Sequence, residues 1–346
     1  MKSAVLVTTK NDSAGGRWPP ITVVTPVYNG ARYIASTIES VVRQEYPGLQ
    51  YIVLDDGSTD GTAAVLSDYN GAIEVVSHIN AGETYTVNRG VALARHDIVC
   101  VVNADDPVLP GLLRAGGEAL GADPSLSAVY PDWVWIDAEG KKIREVATAE
   151  FDLRVLLEQH LCIVGPGAMF RRSHLGGDPV RDPQRRTSAD FDFWLRLGLR
   201  GTVKRLPMTL ATWRQHASGT SAAACNSDMA RDKVALIEGF FSRDDLPPEI
   251  RNLQRQALSA AYHNAGMLGL RSTDVPALSY FVKSYLASPV WPPDVLGPQR
   301  RSLPHMLYAA TQPLSGLLHA ALGPLLPDHW SRRAVLEQRF GVRHEP

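Results

Sequence analysis

Short runs of apolar residues alternate with helix-like stretches through the first hundred residues of the chain. The runs ITVVTPV, YIVL, IEVV and DIVCVV predict β-strands at 21–27, 51–54, 73–76 and 97–102. Between these runs, apolar residues recur at the spacing of three and four that is typical of a helix, most clearly in 31–44. Continuously apolar strands that alternate with helices indicate a parallel sheet that is covered on both faces. The fold class that we predict is α/β, a Rossmann-like, doubly wound and mostly parallel sheet.

The pattern changes towards both ends of the chain. Residues 1–19 end in AGGRWPP and are expected to form a flexible arm, residues 20–225 the α/β domain, and residues 226–346 a C-terminal helical region without strands. Within the last region, 303–321 places leucines and alanines on one face of a helix. A helix with such an apolar face is expected either to pack against the α/β domain or to contact a membrane peripherally. Pro313 and the absence of lysine from the segment favour packing.

Composition and charge narrow the class of protein. The formal net charge of −1 gives no overall attraction to nucleic acid, so we expect no nucleic-acid partner. The three cysteines are widely spaced, which fits a reducing compartment better than a disulfide framework. The apolar runs are too short for a secretory signal or for a membrane span. We therefore expect a soluble, cytoplasmic protein, with the inner face of the cell membrane as an alternative location.

Polar residues follow three of the predicted strands, where ligands bind in open parallel sheets. They are Thr25, Pro26 and Tyr28 after the first strand, Asp55 and Asp56 after the second, and Asp105 and Asp106 after the fourth. The glycine patterns of nicotinamide sites and of P-loops are absent from the sequence. Paired carboxylates instead suggest a divalent cation that would hold a diphosphate. The alternative for ADDP is a turn with solvated aspartates.

The segment DDGSTDGT crowds three aspartates into one turn. Asp56 and Asp60 match positions of an EF-hand loop, but Ser67 stands where that loop needs a glutamate, so a calcium loop is rejected. Asp60 or Thr59 is expected to serve the start of the next helix. Asp56 is then free to accept an N–H from a pyrimidine base.

The ordered motifs of residues 21–221 resemble the inverting nucleotide-sugar glycosyltransferases of family 2, which have the GT-A fold. The motifs are TPVYNGARYIASTIESVVRQEYP, VLDDGSTDGT, INAGETYTVNRGVALARHDIVCVVNADD, GPGAMFRRS and ADFDFWLRL. The resemblance implies a donor site formed by Thr25, Pro26, Tyr28, Asp56, Asn80, Gly82, Asn88 and Asp105, a metal site at Asp106 and His216, and a catalytic base at Asp190. The implied cofactor is Mn²⁺ or Mg²⁺.

Two departures from the family pattern affect these expectations. Ala189 stands where a carboxylate is expected before the base, and Asn103 replaces the first aspartate of the common D-x-D-D form. Asp192 competes with Asp190, but the two positions lie about 200° apart on a helix, so only one can face the cleft. We choose Asp190, for which a helix cap is the alternative role. Arg214 is either a phosphate contact or a solvated side chain.

The sequence thus predicts a metal-dependent inverting glycosyltransferase. The expected donor is a nucleoside-diphosphate sugar, with UDP or dTDP favoured, and the expected acceptor is a glycan or a lipid-linked glycan. This chemistry would serve polysaccharide, cell-envelope glycan or glycolipid synthesis. The alternatives are a non-catalytic nucleotide-sugar binding protein of the same fold and a sugar-phosphate nucleotidyltransferase, which should carry a glycine-rich loop that TPVYNGARY lacks.

Overall fold

The computed structural model describes residues 18–185, 187–216, 227–269 and 275–288. The strands are β1 (Ile21–Val27), β2 (Leu49–Asp55), β3 (Glu74–Ser77), β4 (Ile98–Val101), β5 (Leu126–Ile136), β6 (Lys142–Val146), β7 (Met169–Arg171) and β8 (Thr202–Arg214). The helices are α1 (Ile34–Val42), α2 (Thr62–Ser67), α3 (Glu83–Leu93), α4 (Leu112–Ala122), α5 (Leu153–Gln159), α6 (Ala189–Gly198), α7 (Ser227–Phe241), α8 (Pro248–Arg251), α9 (Gln254–Leu268) and α10 (Ala277–Ala287).

These strands form one sheet in the order β3-β2-β1-β4-β7-β5-β6, and β8 pairs with β5. The pairs β1–β2, β1–β4, β2–β3 and β5–β8 are parallel, whereas β7 runs antiparallel to β4 and β5, and β6 antiparallel to β5. The mostly parallel sheet is confirmed. The chain leaves β1 towards β2 on one side and returns to β4 on the other. The carboxyl ends of β1 and β4 therefore flank the switch point, where ligands bind in such sheets.

Alternate residues of the first strands enter two separate apolar clusters. Val24 and Ile52 lie in a cluster with residues of α3, α5 and α6, whereas Val23 and Val53 lie in a cluster with residues of α1, α2 and α4. Because neighbouring residues of a strand point to opposite faces, both faces of the sheet are covered by helices. The doubly wound arrangement predicted from the continuously apolar runs is confirmed.

Helix α3 lies unusually close to the sheet, which fixes where its first turn sits. A Cβ atom added at Gly90 would lie 2.4 Å from Cγ1 of Val24 in β1 and 2.7 Å from Cδ1 of Leu54 in β2. Real side chains do not tolerate such distances, so glycine at this position permits the contact. The amino-terminal end of α3 is thereby held beside the ends of β1 and β2.

Helices α7 and α9 pack on the same face of the sheet as α3, α5 and α6. Val234 and Ile237 of α7 and Ala257 of α9 belong to the same apolar cluster as Leu156 of α5. Among the residues described, no helix is both long enough and apolar enough to cross a membrane. Residues 1–17, the proposed boundary at 225/226 and the segment 303–321 lie outside the described residues, so the division into domains stays a prediction.

Candidate active site

Asp56 lies where β2 ends and binds the two residues that immediately precede α3. Its main-chain N–H donates to the carbonyl of Val27 at 2.8 Å, which ties it to the end of β1. Its carboxylate accepts the N–H groups of Ala81 at 2.7 Å and of Gly82 at 3.0 Å, and it is 3% exposed. The Nδ1 atom of His78 lies 3.3 Å away. Asp56 therefore occupies the positive end of the α3 dipole.

The two other aspartates of DDGSTDGT also bind main-chain donors. Asp55 accepts the N–H of Ser58 at 3.0 Å, and Asp60 accepts those of Thr62 at 2.9 Å and of Ala31 at 3.1 Å. Slight desolvation acts to raise the pKa of Asp60, but these hydrogen bonds outweigh it and lower the pKa. Since Thr62 is the first residue of α2, the expectation that Asp60 serves the helix start is confirmed. Main-chain N–H groups thus stabilise all three carboxylates that share this turn.

The side chains predicted to surround the base occupy different environments. Tyr28 is 53% exposed, and Asn80 is also exposed, so both lie at the rim of the strand ends. Pro26 is half-buried. Thr25 is fully buried and its hydroxyl lies 3.1 Å from that of Tyr51. Because β1 directs the Thr25 side chain into the interior of the domain, only its main chain is available to the pocket, and the donor contact of Thr25 stays a prediction.

The second aspartate pair follows β4, and its two members point in different directions. Oδ2 of Asp105 lies 2.8 Å from Nε2 of His216, and the Asp105 side chain is 31% exposed. Asp106 is buried; one of its oxygens accepts the N–H of Arg214 at 2.7 Å and the other the side-chain amide of Asn103 at 3.0 Å. Desolvation and the nearby Asp105 charge raise the pKa of Asp106 to about 7. Asp105 thus faces the site, and Asp106 faces the interior.

This arrangement favours Asp105 over Asp106 as the metal ligand, and the assignment within the pair stays a prediction. The sequence favours Asp106 as the metal ligand and Asp105 as a donor contact, whereas the structure pairs Asp105 with His216. A carboxylate oxygen and an imidazole nitrogen together suit a divalent transition metal such as Mn²⁺. No group of three histidine, cysteine or acidic side chains able to hold a metal occurs among the described residues. A cation at Asp105 and His216 would keep further positions for a diphosphate and for water.

Arg214 holds the end of β4 in place. Its Nε donates to the carbonyl of Asp105 at 2.8 Å, and its Nη1 lies 3.1 Å from the carbonyls of Asp137 and of Ala138. The residue is 7% exposed, and its guanidinium lies 4.8 Å from the ring centroid of Tyr33. The predicted phosphate contact is not supported, because these main-chain carbonyls already orient the guanidinium. Arg214 instead fixes the loop that carries both aspartates.

Tyr33 is a site residue that the sequence analysis does not identify. Its ring centroid lies 4.9 Å from that of His216, and the guanidinium of Arg32 lies 5.1 Å from the Tyr33 ring. The ring therefore packs against the histidine that meets Asp105. Tyr33 precedes α1 in the run ARYI, where an aromatic residue is equally typical of helix packing, so the sequence offers no separate signal.

The two candidate bases on α6 differ clearly. The side chain of Asp190 is 55% exposed, and its carboxylate accepts the N–H of Phe191 at 2.8 Å. The side chain of Asp192 is 12% exposed, binds Nε of Arg196 at 2.7 Å and lines a separate cavity of about 260 Å³. The helix is preceded by Ser188 at the cap position, so the alternative in which Asp190 is the cap is wrong. Asp190 is the more available carboxylate.

Asn88 does not present its side chain to a donor. Its Nδ2 donates to the carbonyl of Arg181 at 2.7 Å, and its Oδ1 accepts the N–H of the same residue at 2.8 Å. The guanidinium of Arg181 lies 4.0 Å from Asp190 and 3.9 Å from Glu83 in the first turn of α3. The predicted donor contact of Asn88 is therefore replaced by a structural one. The sequence does not identify Arg181, because it lies outside the motifs and 93 residues from its partner Asn88, so no local pattern relates the two.

The first turn of α3 consequently links the two sides of the site. Gly82 binds Asp56 from the β2 side, and Glu83 lies beside Arg181, which in turn approaches Asp190. Helix α1 is joined to the loop after β4 in a similar way, since the hydroxyl of Thr37 donates to the carbonyl of Ala104 at 2.9 Å. Hydrogen bonds and ion pairs thus connect the elements that carry Asp56, Asp105 and Asp190.

Comparisons with known proteins show which fold the structure has and which family its sequence matches. The fold is that of the GT-A glycosyltransferases: S. aureus TarS in complex with UDP-GlcNAc superimposes with a TM-score of 0.61 at 16% identity, covering 92% of this chain and 88% of that one. The mannosyltransferase PcManGT of Pyrobaculum calidifontis, in complex with GDP-Man and Mn²⁺, gives 0.55 at 17% identity, covering 94% and 87%. Residues 22–176 match the model described as Glycosyl transferase family 2. Residues 22–176 therefore form a domain of the family 2 glycosyltransferases.

Similarity in sequence extends to named glycosyltransferases. An uncharacterized glycosyltransferase of Nostoc sp. is 28% identical over 262 residues, which are 68% of this chain and 80% of that protein. The chondroitin synthase of Escherichia coli is 30% identical over 130 residues, 37% of this chain but 19% of the synthase. The predicted family, the GT-A fold and the transferase activity are confirmed by these findings.

Proposed function

We propose that this glycosyltransferase is metal-dependent and inverting, and that it transfers a sugar from a nucleoside-diphosphate sugar to an acceptor hydroxyl of a glycan or a lipid-linked glycan. The observation that carries the proposal is the 2.8 Å approach of Asp105 to His216 at the switch point of the sheet. The similarity to a chondroitin synthase supports a role in polysaccharide or cell-envelope glycan synthesis.

Asp105 and His216 would hold the cation, Mn²⁺ or Mg²⁺, and Mn²⁺ suits the imidazole ligand better. Once bound there, the cation would stabilise the negative charge that develops on the departing diphosphate. The His216 side chain is 10% exposed and packs against Tyr33, so the imidazole is held in one orientation. Arg214 supports Asp105 from the main-chain side.

Asp190 would act as the general base. The acceptor oxygen forms its bond to the anomeric carbon while the bond from that carbon to phosphate breaks, and the hydroxyl proton passes to the Asp190 carboxylate. An exposed carboxylate is accessible to an acceptor, and the N–H of Phe191 leaves its second oxygen available. Attack from the face opposite the diphosphate inverts the configuration at the anomeric carbon.

Asp56 would bind the base of the donor. Each of its oxygens accepts one main-chain N–H and keeps a further lone pair for the imide N–H of uracil or thymine. UDP or dTDP is therefore the favoured nucleotide, and the UDP-GlcNAc named with TarS agrees with a uracil donor. Guanine is the alternative, since PcManGT is named with GDP-Man.

A non-catalytic nucleotide-sugar binding protein is the second candidate. Ala189 favours it, because the carboxylate that the family pattern places before the base is missing. Asn103 does not favour it, since its side-chain amide has a structural role in binding Asp106. Location at the cytoplasmic face of a membrane stays a proposal, which depends on the segment 303–321.

The test is a nucleotide-release screen of UDP-, dTDP- and GDP-sugars with Mn²⁺, with and without candidate acceptors. Asp190→Asn should lower kcat by about 1000-fold, because the amide cannot take the proton. The matched control is Asp228→Asn, which changes an aspartate of similar exposure in the first turn of α7. Wild-type turnover by Asp190→Asn would exclude the proposed base, and undiminished turnover in EDTA would exclude the metal.

A further inference from the structure

We propose that Arg181 is a positioning residue for Asp190 and that Asn88 anchors Arg181. The proposal rests on the function proposed above, in which Asp190 is the base. It assigns a role to an arginine that the motifs of the sequence do not contain, and a new role to Asn88.

The main chain of Arg181 is fixed by a side chain from α3. Asn88 binds both the N–H and the carbonyl of Arg181, at 2.8 and 2.7 Å. Arg181 lies in the loop between the short 3₁₀ turn at Arg172–Leu175 and α6. A loop bound by both atoms of a side-chain amide loses much of its freedom, since two hydrogen bonds define its orientation as well as its position.

The guanidinium of Arg181 is held between two carboxylates. It lies 4.0 Å from Asp190 and 3.9 Å from Glu83, and it is 19% exposed. Its Nε is buried and lacks a hydrogen-bond partner among the residues the structure describes. A cation in partly buried surroundings attracts a nearby carboxylate more strongly than an exposed one does. Arg181 is therefore suited to restrain Asp190. Because its Nε has no partner among the described residues, the guanidinium can approach a carboxylate more closely without losing a hydrogen bond at that atom.

Asp190 needs such a restraint. Its side chain is 55% exposed, and an exposed aspartate otherwise changes rotamer freely. The N–H of Phe191 binds one oxygen, but a single local hydrogen bond does not fix the direction of the second oxygen. Arg181 approaches the same oxygen, Oδ1, from a second direction and so supplies a second fixed point for the carboxylate. Because proton transfer needs a well-placed acceptor atom, loss of this point should slow the chemical step.

The arrangement also sets the base relative to the donor side. The first turn of α3 carries Gly82, which binds Asp56, and Glu83, which lies beside Arg181. Asn88 belongs to the same helix. One rigid element thus holds both the proposed base-binding aspartate and the arginine that approaches the proposed catalytic aspartate.

The experiment compares Arg181→Gln with Arg185→Gln. Arg185 is a matched control because it is 14% exposed and also lies between two carboxylates, at 3.6 Å from Asp182 and 3.9 Å from Asp232. With the donor that the screen selects, Arg181→Gln should lower kcat about 10- to 30-fold and change KM for the donor less than twofold. Arg181→Lys should recover kcat to within about threefold, and Arg185→Gln should leave it unchanged.

Two measurements that do not depend on turnover, crystal structures and thermal unfolding, separate positioning from folding. Crystal structures should show Asp190 in one rotamer in Arg185→Gln and in several in Arg181→Gln. Asn88→Ala, which leaves the guanidinium intact, should lower kcat about three- to tenfold and loosen the same loop. Thermal unfolding of each variant shows whether the fold is retained.

Equal kcat for Arg181→Gln and Arg185→Gln, or a single Asp190 rotamer in both, would overturn the inference. A rise in donor KM without a fall in kcat would also overturn it, because Arg181 would then contact the donor. These results leave the proposed function intact as long as Asp190→Asn is inactive. An active Asp190→Asn would instead overturn the proposed function.

Discussion

Two pairs of consecutive aspartates follow two strands of the same sheet, yet they are stabilised in different ways. Asp55 and Asp56, after β2, bind main-chain N–H groups of the next turn and of α3. After β4, the carboxylate of Asp105 meets the largely buried side chain of His216, whereas that of Asp106 binds polar groups in the interior. The carboxylates of the first pair bind N–H groups no more than 26 residues away in the chain. The second pair depends on β8 and on the residues that follow it.

The difference indicates what each pair is suited to do. Main-chain N–H groups stabilise a carboxylate without a cation, so Asp56 is suited to bind an uncharged base. Asp106 is buried beside another carboxylate, and burial raises its pKa to about 7. A divalent cation at Asp105 would offset the negative charge of this second pair. The comparison therefore assigns base binding to the first pair and metal binding to the second.

The largest expected effect comes from Asp105→Asn. Replacing this carboxylate should remove one of the two proposed metal ligands and lower kcat by about 1000-fold. A calorimetric titration with Mn²⁺ should show that the variant also loses affinity for the metal. If Asp106→Asn abolished Mn²⁺ binding while Asp105→Asn preserved it, the assignment within the second pair would be wrong.

Asp106→Asn should have the next largest effect, on stability in metal-free protein. The pKa of Asp106 is about 7 in the folded protein and near its ordinary value of 3.8 in the unfolded chain. The unfolded chain therefore releases a proton first as the pH rises, and the wild type loses stability between pH 4 and pH 7. The variant avoids this loss, so above pH 7 its free energy of unfolding should exceed that of the wild type, by on the order of 3 kcal/mol.

Urea unfolding in EDTA at pH 5 and at pH 8 measures this effect. The difference in unfolding free energy between Asp106→Asn and the wild type should grow with pH. A difference independent of pH would show that burial of Asp106 does not control its ionisation. The side-chain amide of Asn103 can turn its oxygen towards the new amide, which keeps the variant suitable for folding.

Asp56→Asn tests the first pair and should act mainly on nucleotide binding. The new amide retains one acceptor oxygen, so it cannot accept the N–H groups of both Ala81 and Gly82. We expect the affinity for UDP to fall about 10- to 100-fold, with a smaller change in kcat. Calorimetry with UDP, dTDP and GDP gives the order of preference. Unchanged affinity for all three would exclude Asp56 from base binding.

Asp55→Asn should have the smallest effect and serves as the control for Asp56. Asp55 accepts the N–H of Ser58 through one oxygen, and an asparagine can do the same. The free energy of unfolding should change by about 1 kcal/mol or less, and UDP affinity should stay within twofold of the wild type. A large loss of UDP affinity would mean that the pair acts as a unit.

The first half of the sheet was predictable because its signals are local. The runs around Val24, Ile52 and Val99 are continuously apolar, and the structure places β1, β2 and β4 there. Strands β5 and β8 were not predicted. Pro131 and Asp132 interrupt the apolar pattern of β5, and the β5–β8 register shifts at the same point, so the irregular backbone accommodates residues that otherwise disfavour a strand.

Local patterns in the sequence predict the fold class, the family motifs and the strand ends at which acidic side chains occur, because each follows from residues that are close together in the chain. Contacts between distant elements bring Asp105 to His216, bury Asp106 and join Asn88 to Arg181. Consecutive residues at the end of a strand point in different directions. The partners of Asn88, Asp106 and Asp105 named here lie 93 to 111 residues further along the chain. The choice between two adjacent carboxylates therefore rests on packing that no local pattern contains.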